Sequence, residues 1–240
     1  MSRFVRMFHT SIGCKQIMAV TGIALVLFVI AHLAGNLLIY AGQDAINQYA
    51  QNLQQLGGLL WLARLGLLAA FVLHIVAGVR LAKLNHQARE IRYHYNAFAQ
   101  TDPLRKARVA AAMYMLQTGL VILAFVVYHL LHFTLGYIGR EGFELMQAMP
   151  DGSQRHDVYN MVLTGFRHPA VAISYVVAML FLGAHLAHGF GSMFQTFGAH
   201  NPVVVSLVKV LTPIVVGFIV IGNCAIPLSI LLGLYGGSGS

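Results

Sequence analysis

The chain has 240 residues, of which 58% are hydrophobic and only 9% charged, with a formal net charge of +8. Roughly a quarter of the residues in an ordinary soluble domain are charged, so the composition argues against a water-solvated globule and for a chain that lives in lipid. The basic excess raises the possibility of a nucleic-acid partner, which the positions of the basic residues then argue against.

Apolar runs long enough to cross about 30 Å of hydrocarbon predict an all-α, polytopic membrane protein: five spanning helices in a single domain over 1–235. The first run extends from Lys15 to Tyr40. It is too long for a signal peptide and continues into the polar His32, Gly35 and Asn36, so it is expected to stay in the mature protein. Gln43 to Gly58 is polar, rich in Gln and Asn and free of basic residues, which suits a short external helix or loop bordering a quinone-sized pocket. The second run spans Leu59 to Lys83. The connection from Asn85 to Arg108 is the longest basic segment and carries Tyr93, Tyr95 and Phe98, a docking surface for a soluble partner or for anionic lipid. Val109 to Tyr137 forms the third run. Gly139 to His168 mixes acids with Met146, Met149, Val158, Tyr159 and Val162 and reads as an interfacial helix before the turn at Pro169. Pro169 to Gln195 and Val203 to Tyr235 complete the set; the last has no histidine, and its Pro213 and Pro227 are tolerable kinks, so it is assigned to packing. Residues 236–240 are a flexible tail or linker.

Basic residues alternate between the loops. Arg3, Arg6, Lys15, Arg80, Lys83, Arg89, Arg92, Arg105, Lys106, Arg108 and Lys209 fall on one side, and Arg64, Arg140, Arg155 and Arg167 on the other. The positive-inside rule then puts the N-terminus in the cytoplasm and the C-terminus outside. Such a distribution serves topology rather than nucleic acid. Cys14 and Cys224, near opposite ends of separate helices, are too few and too scattered for a disulfide framework, a zinc site or an iron–sulfur cluster.

Twelve histidines are present, and His32, His74, His129, His132, His185 and His188 lie inside the predicted spans. Imidazole in hydrocarbon is costly without a partner, which makes these functional candidates. Depth can be counted at about 1.5 Å per residue. His32 and His129 each lie about eight residues before the outer end of a helix running outward, and His74 and His185 about nine or ten before the inner end of a helix running inward. Two histidine pairs therefore fall at two depths roughly 10 Å apart, an arrangement that suits two stacked bis-histidine haems. His132 and His188 lie one turn from His129 and His185, and counting alone leaves the choice within each pair open. Gly35, Gly78 and Gly189, three or four residues beyond their histidines, would let a porphyrin edge approach the backbone or simply serve helix packing. Haem propionates need cationic or amide partners: Arg80 and Lys83 suit the inner haem, Arg64 and Asn36 the outer one, with solvated helix-end charge as the alternative.

Taken together, Ser11-Ile-Gly-Cys-Lys15, His32-Leu-Ala-Gly-Asn36, His74-Ile-Val-Ala-Gly78-Val-Arg80, Tyr128-His129, the segment Asp157 to Phe166, His185-Leu-Ala-His-Gly189 and Gln195-Thr-Phe-Gly198 resemble the five-helix dihaem cytochrome b subunit of succinate dehydrogenases and fumarate reductases, the cytochrome b558 family, over nearly the whole chain. The resemblance selects His185 over His188 and His129 over His132, and implies pairing of His32 with His129 at the distal haem and of His74 with His185 at the proximal one. It also implies a bacterial cytoplasmic membrane and a place in electron transport between the tricarboxylic acid cycle and the respiratory chain. The implied partners are an FAD-containing flavoprotein subunit and an iron–sulfur subunit on the cytoplasmic face; the implied substrate is a quinone, menaquinone. Fumarate reduction by quinol uses the same parts. Gln54, Gln55 and Gly183 stand where some members carry acids, which argues against an acid-gated proton pathway of that kind. Two other readings share the topology: a permease using the His-x-x-His pairs as metal ligands, against which stands the lack of acidic residues in the spans, and a structural anchor without haem.

Overall fold

The computed structural model describes residues 7–87 and 114–236. Arg3, Arg6, Arg89, Arg92, Arg105, Lys106, Arg108, Tyr93, Tyr95 and Phe98, the start of the third run at Val109 and most of the tail lie outside the described residues. Five helices among the described residues are long and apolar enough to cross a membrane, over Ser11–Ala41, Gly58–Gln87, Met115–Thr134, Pro169–Thr196 and Pro202–Leu231. These match the five runs, and the protein is a multi-pass membrane protein whose described residues are helical apart from one small hairpin.

In chain order, α1 (Ser11–Asn36) runs into a 3₁₀ turn, followed by α2 (Gln43–Gln55), α3 (Gly58–Gln87) and α4 (Met115–His129), which ends in a π turn at Leu130–Thr134. Next come α5 (Arg140–Phe143), β1 (Met146–Ala148), β2 (Gln154–His156), α6 (Val158–Arg167), α7 (Pro169–Thr196) and α8 (Pro202–Leu231). The boundaries follow local chemistry. Gly139, at φ +70, turns the chain after the third span. Pro169 opens α7 and Pro202 opens α8, where a missing N–H costs nothing, and Asn201 caps the latter by accepting from the Val203 amide at 2.9 Å. Membrane-length helices are apolar nearly all round, and their outward leucines and valines stay uncovered: Leu62, Leu65, Leu68, Val203 and Ile221 are all exposed.

The described residues gather into two compact units. One draws on Met1–Phe28, Leu65–Leu120 and Leu182–Gly217, the other on Val29–Arg64, Val121–Phe181 and Phe218–Ser240. In the first, Cys14, Ile17 and Ala77 form a buried cluster with Met18, Leu73 and Leu81. In the second, Ile39, Ile46, Leu163, Phe166, Tyr175, Ile226 and Ile230 form the core, and Gly222 of α8 leaves room for Leu33, whose Cδ2 would lie 2.8 Å from a Cβ there. Packing is thus what α8 contributes at this point. Both cysteines are buried and unpaired.

The segment from Gly139 to His168, expected as one interfacial helix, instead holds two short helices around a hairpin. β1 and β2 pair antiparallel with Gln147 opposite Arg155, and the connection turns at Gly152, φ +82, where Asp151 accepts from the Ser153 amide at 2.9 Å. That turn chemistry was present in the Asp-Gly-Ser tripeptide. The hairpin is tied to α2 by buried polar groups. Asn47, 1% exposed, donates to Gln147 (2.8 Å) and Asp157 (2.9 Å) and accepts from the Tyr159 amide (2.9 Å). Arg155, expected as a loop charge, is buried and donates to Gln147 (2.8 Å), Gln48 (3.0 Å) and Asp44 (2.7 Å). Asp157 caps α6 through the Asn160 amide (3.1 Å) and also accepts from Gln43 (2.8 Å) and the Asn160 side chain (2.7 Å).

Burial pushes the Asp157 carboxyl up, and the hydrogen bonds from Asn47, Asn160 and Gln43 together outweigh it, leaving the group below its ordinary value. A carboxyl depressed on folding contributes its stability above the unfolded-state value and loses it as pH falls through the lower, folded value. Asp157→Asn puts a donor among donors, so it should cost about 1–3 kcal/mol. Hydrogen exchange at neutral pH should then quicken over α2 and α6, whereas in the native chain the same protection should fade only below the ordinary carboxylate range.

Candidate functional site

The four histidines expected at two depths lie in two ring pairs. The rings of His32 and His129 lie with centroids 5.8 Å apart and planes at 86°; those of His74 and His185 lie 6.4 Å apart at 61°. The first pair falls in the second unit and the other in the first. Two imidazoles that share one metal ion at about 2 Å each set their centroids about 6 Å apart, whatever the twist about the metal–nitrogen axis. Both gaps have that size.

The environment of each ring decides which nitrogen is free. In the His74–His185 pair, Thr21 Oγ1 lies 3.1 Å from His74 Nδ1, and Thr118 Oγ1 lies 3.1 Å from His185 Nδ1. Thr21 commits its hydroxyl proton to the Ile17 carbonyl at 2.7 Å, and Thr118 commits its own to the Met115 carbonyl at 3.0 Å. Each hydroxyl oxygen therefore accepts, and each histidine must donate from Nδ1. Nε2 is left with its lone pair, the state that a metal ligand requires. Both threonines precede a glycine whose open face receives the imidazole: a Cβ on Gly22 would lie 3.5 Å from His74 Cε1, and one on Gly119 would lie 3.5 Å from His185 Cε1. Sequence reasoning missed Thr21 and Thr118. The repeated Thr-Gly dipeptide on the first and third spans was the available signal.

In the other pair, His129 Nδ1 lies 3.3 Å from the Tyr175 hydroxyl, and so does His132 Nδ1. His132 is 3% exposed, stacked on Phe133 at 4.0 Å, with Gly139 and Gly165 close against its ring: Cβ atoms there would lie 2.8 and 3.2 Å from Nε2. No group wider than a hydrogen atom fits between His132 and those backbones, so of the two neighbouring histidines it is His129 whose ring opens toward His32. The π turn that follows His129 brings both rings to the one hydroxyl. Tyr175 too was missed, because nothing in the α7 sequence marks it. His188 is half-buried and, among the described residues, is not paired across the helices as His185 is.

The groups proposed for anionic substituents are unequal. Arg80 is half-buried, donates to His9 Nδ1 at 2.8 Å and keeps a buried Nε without a partner among the described residues, a donor suited to a carboxylate. Lys83 is exposed, and Arg64 is exposed with its guanidinium 5.2 Å above the Trp61 ring. Asn36 ends α1, half-buried, and its side chain does not cap the 3₁₀ turn. Gly35 does not face an open gap: a Cβ there would lie 2.6 Å from the Tyr49 ring, so this glycine admits α2 rather than a porphyrin edge. Gly78 and Gly189 face only the flexible ends of Met18 and Met115, at 3.9 and 4.0 Å from a built Cβ. Among the described residues, no cluster of three or more His, Cys, Asp or Glu side chains is placed to hold a metal ion.

Comparison of the chain with protein families, with characterised proteins and with solved structures returned no match.

Removing a threonine should free the histidine it holds. In Thr21→Val, ¹⁵N spectra of the imidazoles should show His74 passing from a single Nδ1–H tautomer to a mixture, with His185 unchanged. Thr118→Val should do the reverse, each at a cost of about 0.5–1.5 kcal/mol.

Proposed function

We propose that the chain is the membrane-anchor cytochrome b subunit of a succinate:quinone oxidoreductase. In this reading His32 with His129, and His74 with His185, each hold one haem b, and the protein sits in a bacterial cytoplasmic membrane with its N-terminus inside. The observation that carries it is the pair of imidazole gaps of 5.8 and 6.4 Å on four different spans.

A haem b held by two imidazoles has no open position, so it supplies single-electron transfer rather than substrate binding. The chain's residues do the rest. Thr21 and Thr118 hold the Nδ1 side of His74 and His185 and leave each Nε2 its lone pair, and Arg80 offers its unpartnered Nε to a propionate. A bare metal ion would want three or more protein ligands, whereas a porphyrin brings four of its own and asks only for two. Two-imidazole gaps favour the porphyrin, and this weighs against a metal permease.

Oxidation of succinate needs groups that this sequence lacks: there is no glycine-rich dinucleotide fingerprint and no cysteine cluster. The chain acts as an oxidoreductase only within a complex, passing electrons between an iron–sulfur subunit docked on the cytoplasmic face and a quinone, menaquinone, in the lipid. A flavoprotein subunit completes that complex. The family resemblance set out above is the support for these partners.

Reduced-minus-oxidised spectra of the purified chain should contain b-type bands equivalent to two haems. His74→Ala or His185→Ala should each remove one haem and leave the other in place, and His32→Ala should remove the second. A native chain without b-type bands defeats the proposal. Loss of one haem in His188→Ala with both retained in His185→Ala moves the ligand to His188.

A further inference from the structure

We propose that Tyr175 and His132 are positioning residues for His129, acting as a one-way hydrogen-bond chain that keeps Nε2 of His129 available to the iron. The inference rests on the haem reading above and deepens it, since it assigns a role to the buried histidine that this reading leaves unused.

A ligand that binds through Nε2 carries its proton on Nδ1, so His129 donates to the Tyr175 oxygen 3.3 Å away. That oxygen has a single proton of its own. The other imidazole nitrogen bonded to it is His132 Nδ1, also at 3.3 Å, so the hydroxyl donates there and His132 must hold its proton on Nε2. Both histidines are then neutral, and each has the opposite tautomer. The chain needs His132 because Tyr175 differs from Thr21 and Thr118 in one respect. A threonine hydroxyl reaches the carbonyls of its own preceding turn and commits its proton there, whereas a phenol hydroxyl stands too far from its own backbone to do so. Without a second acceptor, the Tyr175 proton would point at His129 Nδ1 and favour the wrong tautomer.

His132 is built for that task and for little else. It is 3% exposed, stacked on Phe133, and confined by the backbones of Gly139 and Gly165. Tyr175 is held equally firmly, with the rings of Phe125, Phe166 and Phe133 at 4.9, 4.9 and 5.7 Å. Neither ring has room to rotate away.

The full chain, uniformly ¹⁵N-histidine labelled in lipid nanodiscs, tests this with and without haem. The native imidazole spectrum should show Nδ1–H at His129 and Nε2–H at His132; a proton on Nδ1 of His132 overturns the proposal. In the haem-loaded chain, Tyr175→Phe and His132→Leu should shift the low-spin EPR signal of one haem and raise its midpoint potential, because the ligand loses an acceptor that makes it more basic, while the other haem stays unchanged. His132→Asn, whose Oδ1 accepts where Nδ1 did, should restore the native signal. Equal effects of His132→Asn and His132→Leu would mean plain packing, and unmoved signals in both Tyr175→Phe and His132→Leu would likewise overturn the assignment. If a variant loses haem through misfolding, its haem-free imidazole spectrum decides instead. A native chain that holds no haem refutes the haem reading alone, and the tautomers of His129 and His132 still decide whether the chain of hydrogen bonds exists.

Discussion

A neutral imidazole in hydrocarbon has one nitrogen that must donate and one that must accept, and lipid offers neither partner. The partners of His74, His185 and His129 answer that constraint. For His74 and His185, a threonine from a neighbouring span takes the Nδ1 proton, and the threonine's own proton goes to the helix that carries it. For His129 the acceptor is a phenol, so a further group is needed to absorb the phenol's proton, and His132 is placed for it. What remains in each case is an Nε2 lone pair, on rings whose centroids lie 6.4 Å apart for His74 and His185 and 5.8 Å apart for His129 and His32.

The same rule governs the segments between spans, where the backbone leaves the helix. Asn47, Arg155 and Asp157 are buried there, and every one is satisfied: amides feed the carboxylate, the guanidinium spreads over Gln147, Gln48 and Asp44, and Asn47 serves two elements at once. A two-stranded hairpin this short is not stable alone. It is held because α2 presents a row of amide side chains to it, which explains the Gln and Asn content of a segment that carries no basic residue.

Glycine serves two ends in this chain, and only contacts separate them. Gly22 and Gly119 face imidazoles, and Gly139 and Gly165 wall in His132, whereas Gly35 admits the Tyr49 ring and Gly222 admits Leu33. All of them look alike as small residues within apolar or turn sequence. Arg80 makes a similar point among the cations: four polar residues were candidates for propionates, and burial with an unpartnered Nε distinguishes one of them.

By itself, the sequence determined the five spans and the two depths at which histidines of different spans meet, because bilayer thickness and helical rise convert residue counts directly into depth. It also marked Pro169 as the first residue of the fourth span. Only the tertiary structure decided which of two neighbouring histidines faces the gap, since His129 and His132 share a face by periodicity and differ in what packs against them. It alone decided the roles of Thr21, Thr118 and Tyr175, the hairpin at Met146–His156 and the burial of Arg155. The reason is physical: depth is a property of one helix counted along its axis, whereas a hydrogen-bond partner is supplied by another element, at a rotation about that axis which no residue count contains.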